Sequence, residues 1–421
     1  MFLRSISTEE LNFEKSWSLG LKKIKNLSGF NKYMTFFWLL GPFIFLIERT
    51  PADIWLTLLS IIFLVRCFFK KDWSWANQLW FRLALLFWVF SLFSASVSPD
   101  PFFSFSQGFV WIRFPLYAAA AQVWLAKDRD IRVMMLISLL IGLLAMCLIL
   151  AFEVIIEPKE RLTWPYGDTT PGGYISKVCM PIFVILISLI VSRKSRRFLS
   201  ASLISLISVV FSILTGERTH FILRACSGML AALFWKPSYK KFLILLLVEM
   251  LAVIAIFLII PQKSDRFINQ FVKSIPIYNA NTNYWGSWRG GLQQGLSTPI
   301  IGIGPSGTRK TCKFLPNHWL PGQNYCGNHP HNFYVQLFAE TGVIGLILGT
   351  SMFVSIISLC YKNRKLIKNC PMVQTAFVIP LGMFFPLQQF GSFFGQWGNL
   401  FIWISIGFAI AQVQNFKYHV K

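Results

Sequence analysis

Twelve runs of mostly apolar residues recur along this chain, at 34–48, 53–70, 79–98, 104–126, 131–156, 172–192, 198–215, 219–235, 242–260, 332–360, 373–391 and 396–414. A helix that crosses a bilayer needs about 20 such residues. Lipid offers the backbone no hydrogen-bond partners, so each run must satisfy its own amides as an α-helix. The expected fold is therefore all-α: a polytopic integral membrane protein with about twelve transmembrane helices. Composition agrees. Hydrophobic residues make up 55% of the 421, with 42 Phe, which is too oily for a disordered chain. The formal net charge of +23 does not read as a nucleic-acid footprint, because the basic residues lie between apolar runs and form no single stripe.

Basic connections orient such a chain, with the Lys/Arg-rich ones on the cytoplasmic side. Alternate connections are basic: Lys70-Lys71, Lys127/Arg129/Arg132, Arg193-Lys194 with Arg196-Arg197, Lys236/Lys240/Lys241 and Lys362/Arg364/Lys365/Lys368. These are expected inside, together with both termini. The connections 49–52, 99–103, 157–171, 216–218 and 261–331 then face outward. Residues 1–33 mix acidic and basic side chains and offer no small-residue cleavage site after a short apolar core. They read as a cytoplasmic arm, partly an amphipathic helix on the membrane surface. The expected organisation is this arm, helices 1–9 over 34–260, a large outer loop over 261–331, helices 10–12 over 332–414, and a cytoplasmic tail over 415–421. No internal repeat supports an inverted-repeat transporter.

The outer loop between helices 9 and 10 is too long and too rich in Trp, Tyr and His for a simple linker. It holds Cys312 and Cys326, whose disulfide would close a fifteen-residue loop and contribute about 3 kcal/mol in the chain-entropy view. The alternatives are two free thiols or a metal pair with His329. The lack of further clustered ligands favours the disulfide and predicts no metal site. The run Gly302-Ile303-Gly304-Pro305-Ser306-Gly307 is no Walker motif, since no Gly-Lys-Ser/Thr follows. It reads as tight turns that could bring backbone close to a ligand. Asp128-Arg129-Asp130 reads as a solvated cytoplasmic loop.

His331 follows Asn328-His329-Pro330 and stands at the mouth of the tenth span. An imidazole there can serve as general base, or simply occupy the interface. Glu340 lies nine residues on, which at 100° per residue is the opposite helix face, ~13 Å along. It cannot orient His331 within one helix, and a structural or gating role is its default. Arg218 in Thr215-Gly216-Glu217-Arg218-Thr219, Arg289 in Trp288-Arg289-Gly290-Gly291, and Arg161 are all predicted outward. Each could be a snorkelling cation. Guanidinium forks also suit phosphate, and three of them near an outward His point to an anionic substrate at the membrane surface. Arg113 and Glu249 fall mid-span, where either could line a polar cavity or hold helices together.

These features together resemble the O-antigen ligase family. The likeness rests on the Thr-Gly-Glu-Arg-Thr turn, the long outer loop around Arg289, Thr298-Pro299-Ile300-Ile301-Gly302-Ile303-Gly304, and His331-Asn332 with Ala339-Glu340-Thr341-Gly342. The specific motifs span about 216–345, and the topology matches over most of the chain. The resemblance implies a cofactor-free, metal-independent glycan transfer on the periplasmic face of a bacterial inner membrane. The implied donor is a glycan on undecaprenyl diphosphate, and the acceptor a sugar hydroxyl of lipid A–core oligosaccharide. By this likeness His331 is the base, and Arg218 and Arg289 hold the diphosphate. Arg161, His329, Asn332 and Glu340 support them. The second imidazole, His329, departs from the pattern; His331 is favoured because it directly precedes Asn332. The motifs do not separate ligases from O-antigen polymerases, which share the donor. A membrane transporter is the rival of another class.

Overall fold

The computed structural model describes residues 13–126, 128–157, 159, 161–168, 170–191, 198–216, 239–264, 267, 283–311, 328–362, 371–386 and 391–418. Arg218, Cys312, Cys326 and the expected eighth span at 219–235 lie outside the described residues. Within them every regular element is a helix, with no strand. The principal helices are α1 (Phe13–Asn26), α2 (Gly29–Ile47), α3 (Arg49–Lys70), α4 (Leu79–Ser96), α5 (Pro101–Trp111), α6 (Arg113–Trp124) and α7 (Arg129–Ile156). They continue with α8 (Met180–Val191), α9 (Phe198–Leu214), α10 (Tyr239–Ile259), α11 (Asn283–Ser297), α12 (Phe333–Lys362), α13 (Pro371–Met383) and α14 (Gln396–Tyr418).

By length and apolarity five of the described helices can cross a membrane: α2, α3, α4, α7 and α12. Their surfaces fit lipid. On α3, Ile54, Leu58, Ile61 and Val65 are exposed along one face, while Trp55, Leu56, Leu59 and Phe63 are buried on the other. Water would penalise such a face, whereas hydrocarbon does not.

Local chemistry sets the helix ends. Asp100 caps α5 by accepting from the Phe103 amide at 3.2 Å, and Pro101 occupies the first turn, where its missing N–H costs nothing. Lys71 closes α3 in the left-handed conformation (φ 50). Asp128 caps α7 by accepting from Asp130 N at 2.8 Å. Both aspartates also bind Lys23 Nζ of α1, at 2.9 and 2.5 Å. This corrects the reading of Asp128-Arg129-Asp130 as a merely solvated loop: it fastens the N-terminal arm.

Small residues let helices approach closely. Ala118 to Ala121 on α6 are fully buried, and Gly407 of α14 packs on Tyr117 and Ala121. The bundle core is aromatic: Trp38, Trp55, Tyr117 and Trp124 interlock, and Trp111, Phe393 and Trp403 form a second cluster. Arg113 enters this interior with its countercharge, since its Nη2 lies 2.7 Å from Asp53 Oδ1 and its Nη1 3.1 Å from Oδ2. Glu249 accepts from Ser205 Oγ at 2.7 Å.

The connections expected outside meet one another. Arg161 Nε donates to Thr215 O at 2.8 Å, and Leu162 N to Leu214 O. Glu153 at the end of α7 folds the 157–171 connection over itself, accepting from the amides of Thr163 and Trp164. Trp397 Nε1 bonds Thr170, and Arg49 bonds Gln396. Lys310 of the large loop pairs with Asp100 at 3.1 Å. That hydrogen bond, with the Phe103 amide, holds the Asp100 carboxyl below the usual carboxylate range.

Candidate active site

His331 is built into a deliberate turn. It adopts φ 58, a left-handed conformation uncommon outside glycine, and it is half-buried. Asn332, which follows it, is buried and caps α12: its Oδ1 accepts from Tyr334 N at 2.9 Å and Val335 N at 3.2 Å. The other end of the same amide donates to Pro386 O at 2.6 Å. One side chain therefore starts the helix, anchors it to the chain leaving α13, and fixes where His331 emerges. The rings of His329 and His331 lie 4.2 Å apart between centroids, tilted by 56°. Beneath them Phe333 meets Phe393 edge-on at 5.0 Å, an aromatic floor continuous with the bundle core.

Helix α11 lies against this turn because glycine makes room for it. A Cβ at Gly291 would stand 2.8 Å from Pro330 Cγ and 2.7 Å from Val335; one at Gly295 would strike the Phe338 ring at 2.3 Å. Arg289 is carried on that helix, two residues before Gly291. It projects from the exposed side, shared with Leu292 and Leu296, and not from the packed side. Arg161 is seated on the turn that leads toward position 218. His331, His329 and Asn332 are thus one unit; α11 packs on it through Gly291 and Gly295, while Arg289 lies on the exposed face of that helix.

The glycine-rich stretch does something sequence reading missed. Its backbone pairs with that of α12. Ile303 N donates to Ala339 O at 3.1 Å, Gly304 N to Glu340 O at 2.9 Å, and Val343 N to Pro299 O at 2.8 Å. Ser94 Oγ of α4 lies within hydrogen-bond reach of both Ile301 O and Glu340 O. Helix α12 is broken at Gly342 (φ 63, ψ −169) to make those groups available. The glycines in both Gly302-Ile303-Gly304 and Glu340-Thr341-Gly342 were the available signal, but neither motif announces that it pairs with the other.

Glu340 is fully buried in this lock. Its Oε2 accepts from Ser306 N at 2.9 Å and Gln336 Nε2 at 3.0 Å. Gln336 extends the network to Ser392 Oγ and the Phe393 amide. Sequence reasoning overlooked Gln336. Glu340 spends its bonds on joining the outer loop to the 391–395 segment.

Among the described residues every regular element is helical, and five helices have the length and apolarity to cross a membrane, an architecture consistent with a polytopic membrane protein. Residues 203–349 match the family model described as O-antigen ligase. The matched segment contains every motif from the Thr215 turn through Gly342. No curated protein matches the chain. That match supports a likeness at the level of O-antigen ligases and polymerases together, without separating the two.

Proposed function

We propose that the protein is an O-antigen ligase, a metal-independent glycosyltransferase on the periplasmic face of a bacterial inner membrane. It takes a glycan from undecaprenyl diphosphate and joins it to a hydroxyl of lipid A–core oligosaccharide. His331 removes the acceptor proton as the oxygen attacks the anomeric carbon. The bond from that carbon to the diphosphate oxygen breaks, and undecaprenyl diphosphate leaves. Attack opposite the leaving group inverts the anomeric centre. An alcohol is a weak nucleophile without a base, and a departing diphosphate needs cationic donors. The reading gives the latter role to Arg218 and Arg289, with Arg161 positioning the Arg218 turn. Asn332 and Glu340 hold the frame.

The observation that carries this reading is the His331 turn itself: a non-glycine residue held in a costly conformation by a dedicated cap, with an arginine-bearing helix docked against it. Strained residues that the surrounding structure over-determines cluster at functional sites. Contacts among the predicted outer connections support the sidedness. A transporter reading loses ground because Arg113 is neutralised by Asp53 within the bundle.

Purified protein given lipid-linked donor and core acceptor, with no nucleotide or ion gradient, should form product; failure would favour transport. Lipopolysaccharide from a deletion strain separates ligase from polymerase. Core alone is the ligase result, and core carrying one repeat unit would make the protein a polymerase. Arg289→Lys should lower kcat/KM about tenfold, since an ammonium keeps the charge but loses the second hydrogen bond of the fork. Full activity in that variant would reduce Arg289 to an interface cation.

A further inference from the structure

At the opposite end of the bundle from His331, α2 begins and α3 ends side by side. Between them lies a cavity of about 520 Å³. Its α3 wall consists of two adjacent ridges, each with the four-residue spacing that keeps side chains on one helical face. One ridge is apolar throughout: Ile61, Val65 and Phe69. The other starts apolar at Ile62 and turns cationic at Arg66 and Lys70, about 6 Å apart along the axis. Ser28 and Asn31, at the first turn of α2, face them across the opening. The Ser28 side chain does not cap that helix, which leaves the first-turn amides open on the same side. Among the described residues no carboxylate lines the cavity.

Arg66 is the informative residue. Its guanidinium lies 5.9 Å from the Trp124 ring centroid, and its Nη1 is shielded from solvent with no hydrogen-bond partner among the described residues. A shielded charged donor without an acceptor is costly unless something supplies one. The cations stand at the end of the helix and the apolar ridge runs from there toward its middle. The site therefore has a head and a tail. Ile61 and Val65 are about half exposed and Phe69 more so, leaving that ridge open along its length.

We propose that this cavity binds an anionic glycerophospholipid, with its phosphate between Arg66 and Lys70 and an acyl chain along Ile61, Val65 and Phe69. Basic pockets between transmembrane helices recognise anionic headgroups in this way. The leaflet follows from the sidedness proposed above, and is the cytoplasmic one; the site itself does not depend on it or on the glycosyltransferase reading.

Full-length, delipidated protein in detergent is the material for the test, with bound lipid counted by native mass spectrometry. Phosphatidylglycerol should be retained about thirtyfold more than phosphatidylethanolamine at matched concentration, given roughly 1 kcal/mol for each of the two basic residues near the surface. Arg66→Gln with Lys70→Gln should remove that preference. Lys22→Gln with Lys25→Gln takes the same charge from the exposed face of α1 and should leave it intact. Val65→Trp fills the cavity with both cations in place and should also abolish retention, which guards against misfolding of the charge variant. Equal retention of the two lipids, or equal loss in the α1 control, would overturn the proposal. So would inorganic phosphate displacing the lipid at equal concentration, which would make this a free-anion site.

Discussion

His331→Ala should abolish glycan transfer while the protein accumulates normally, folds, and remains in the membrane. A positioned general base contributes about 10²–10⁴-fold, so residual activity should fall to a percent or less. The variant is informative because of the backbone. His331 sits at φ 58, and alanine meets the same left-handed cost, so the substitution removes the imidazole without changing the demand on the turn. The cap is made by Asn332 and is untouched. His331→Gly adds a second arm: glycine favours this conformation, so stability should rise slightly while activity stays lost. His329→Ala separates the roles of the two adjacent, tilted imidazoles and should retain most activity. In vitro transfer with lipid-linked donor reads all three. Near-normal turnover in His331→Ala would remove His331 from the mechanism, and a dead His329→Ala beside a live His331→Ala would exchange their roles.

The sequence made the helices legible because hydropathy reports the cost of placing a segment in water. The run 79–98 became Leu79–Ser96, and 131–156 became Arg129–Ile156. It was less informative where backbone bonding departs from a plain helix. The run 104–126 is two helices that meet at Ile112, and 172–192 opens with a wide turn over Tyr174–Val178. The run 373–391 stops being helical after Met383. Side chains there stay apolar whether or not the backbone bends, so hydropathy does not sense the change. Long-range partners were hidden for a different reason. Arg113 looked like an isolated intramembrane charge, but its countercharge is sixty residues earlier. At the site, the His331-Asn332 pair was readable from residue types. The pairing of Ile301–Gly304 with Ala339–Gly342 was not, because it is made by backbone groups that every residue has.

That pairing makes the second large expectation. Gly342→Ala should unseat the outer loop. At φ 63 and ψ −169 the residue occupies a region that is essentially glycine's alone, where another residue costs about 1–3 kcal/mol. A Cβ there would also meet Ile300 O at 2.2 Å and Ile301 N at 2.6 Å, and neither is the tip of a flexible side chain that could turn away. Relief requires the Pro299–Gly304 strap to move off α12. That breaks the bonds from Val343 N to Pro299 O and from Gly304 N to Glu340 O, and it draws Ser306 N away from the buried Glu340 carboxyl. A buried carboxyl that loses a donor is itself penalised, so the costs compound. Since α11 continues directly into the strap, Arg289 moves with it. The expected phenotype is a lowered melting temperature, faster proteolysis within 261–331, and loss of transfer, all together. His331→Ala should lose transfer alone. Gly391→Ala is the matched control: its added Cβ meets nothing nearer than 3.8 Å, so melting and activity should hold. If Gly342→Ala melts and works like the parent, the strap is not what seats α11 beside His331. The arginine would then have to be positioned by contacts other than this backbone lock.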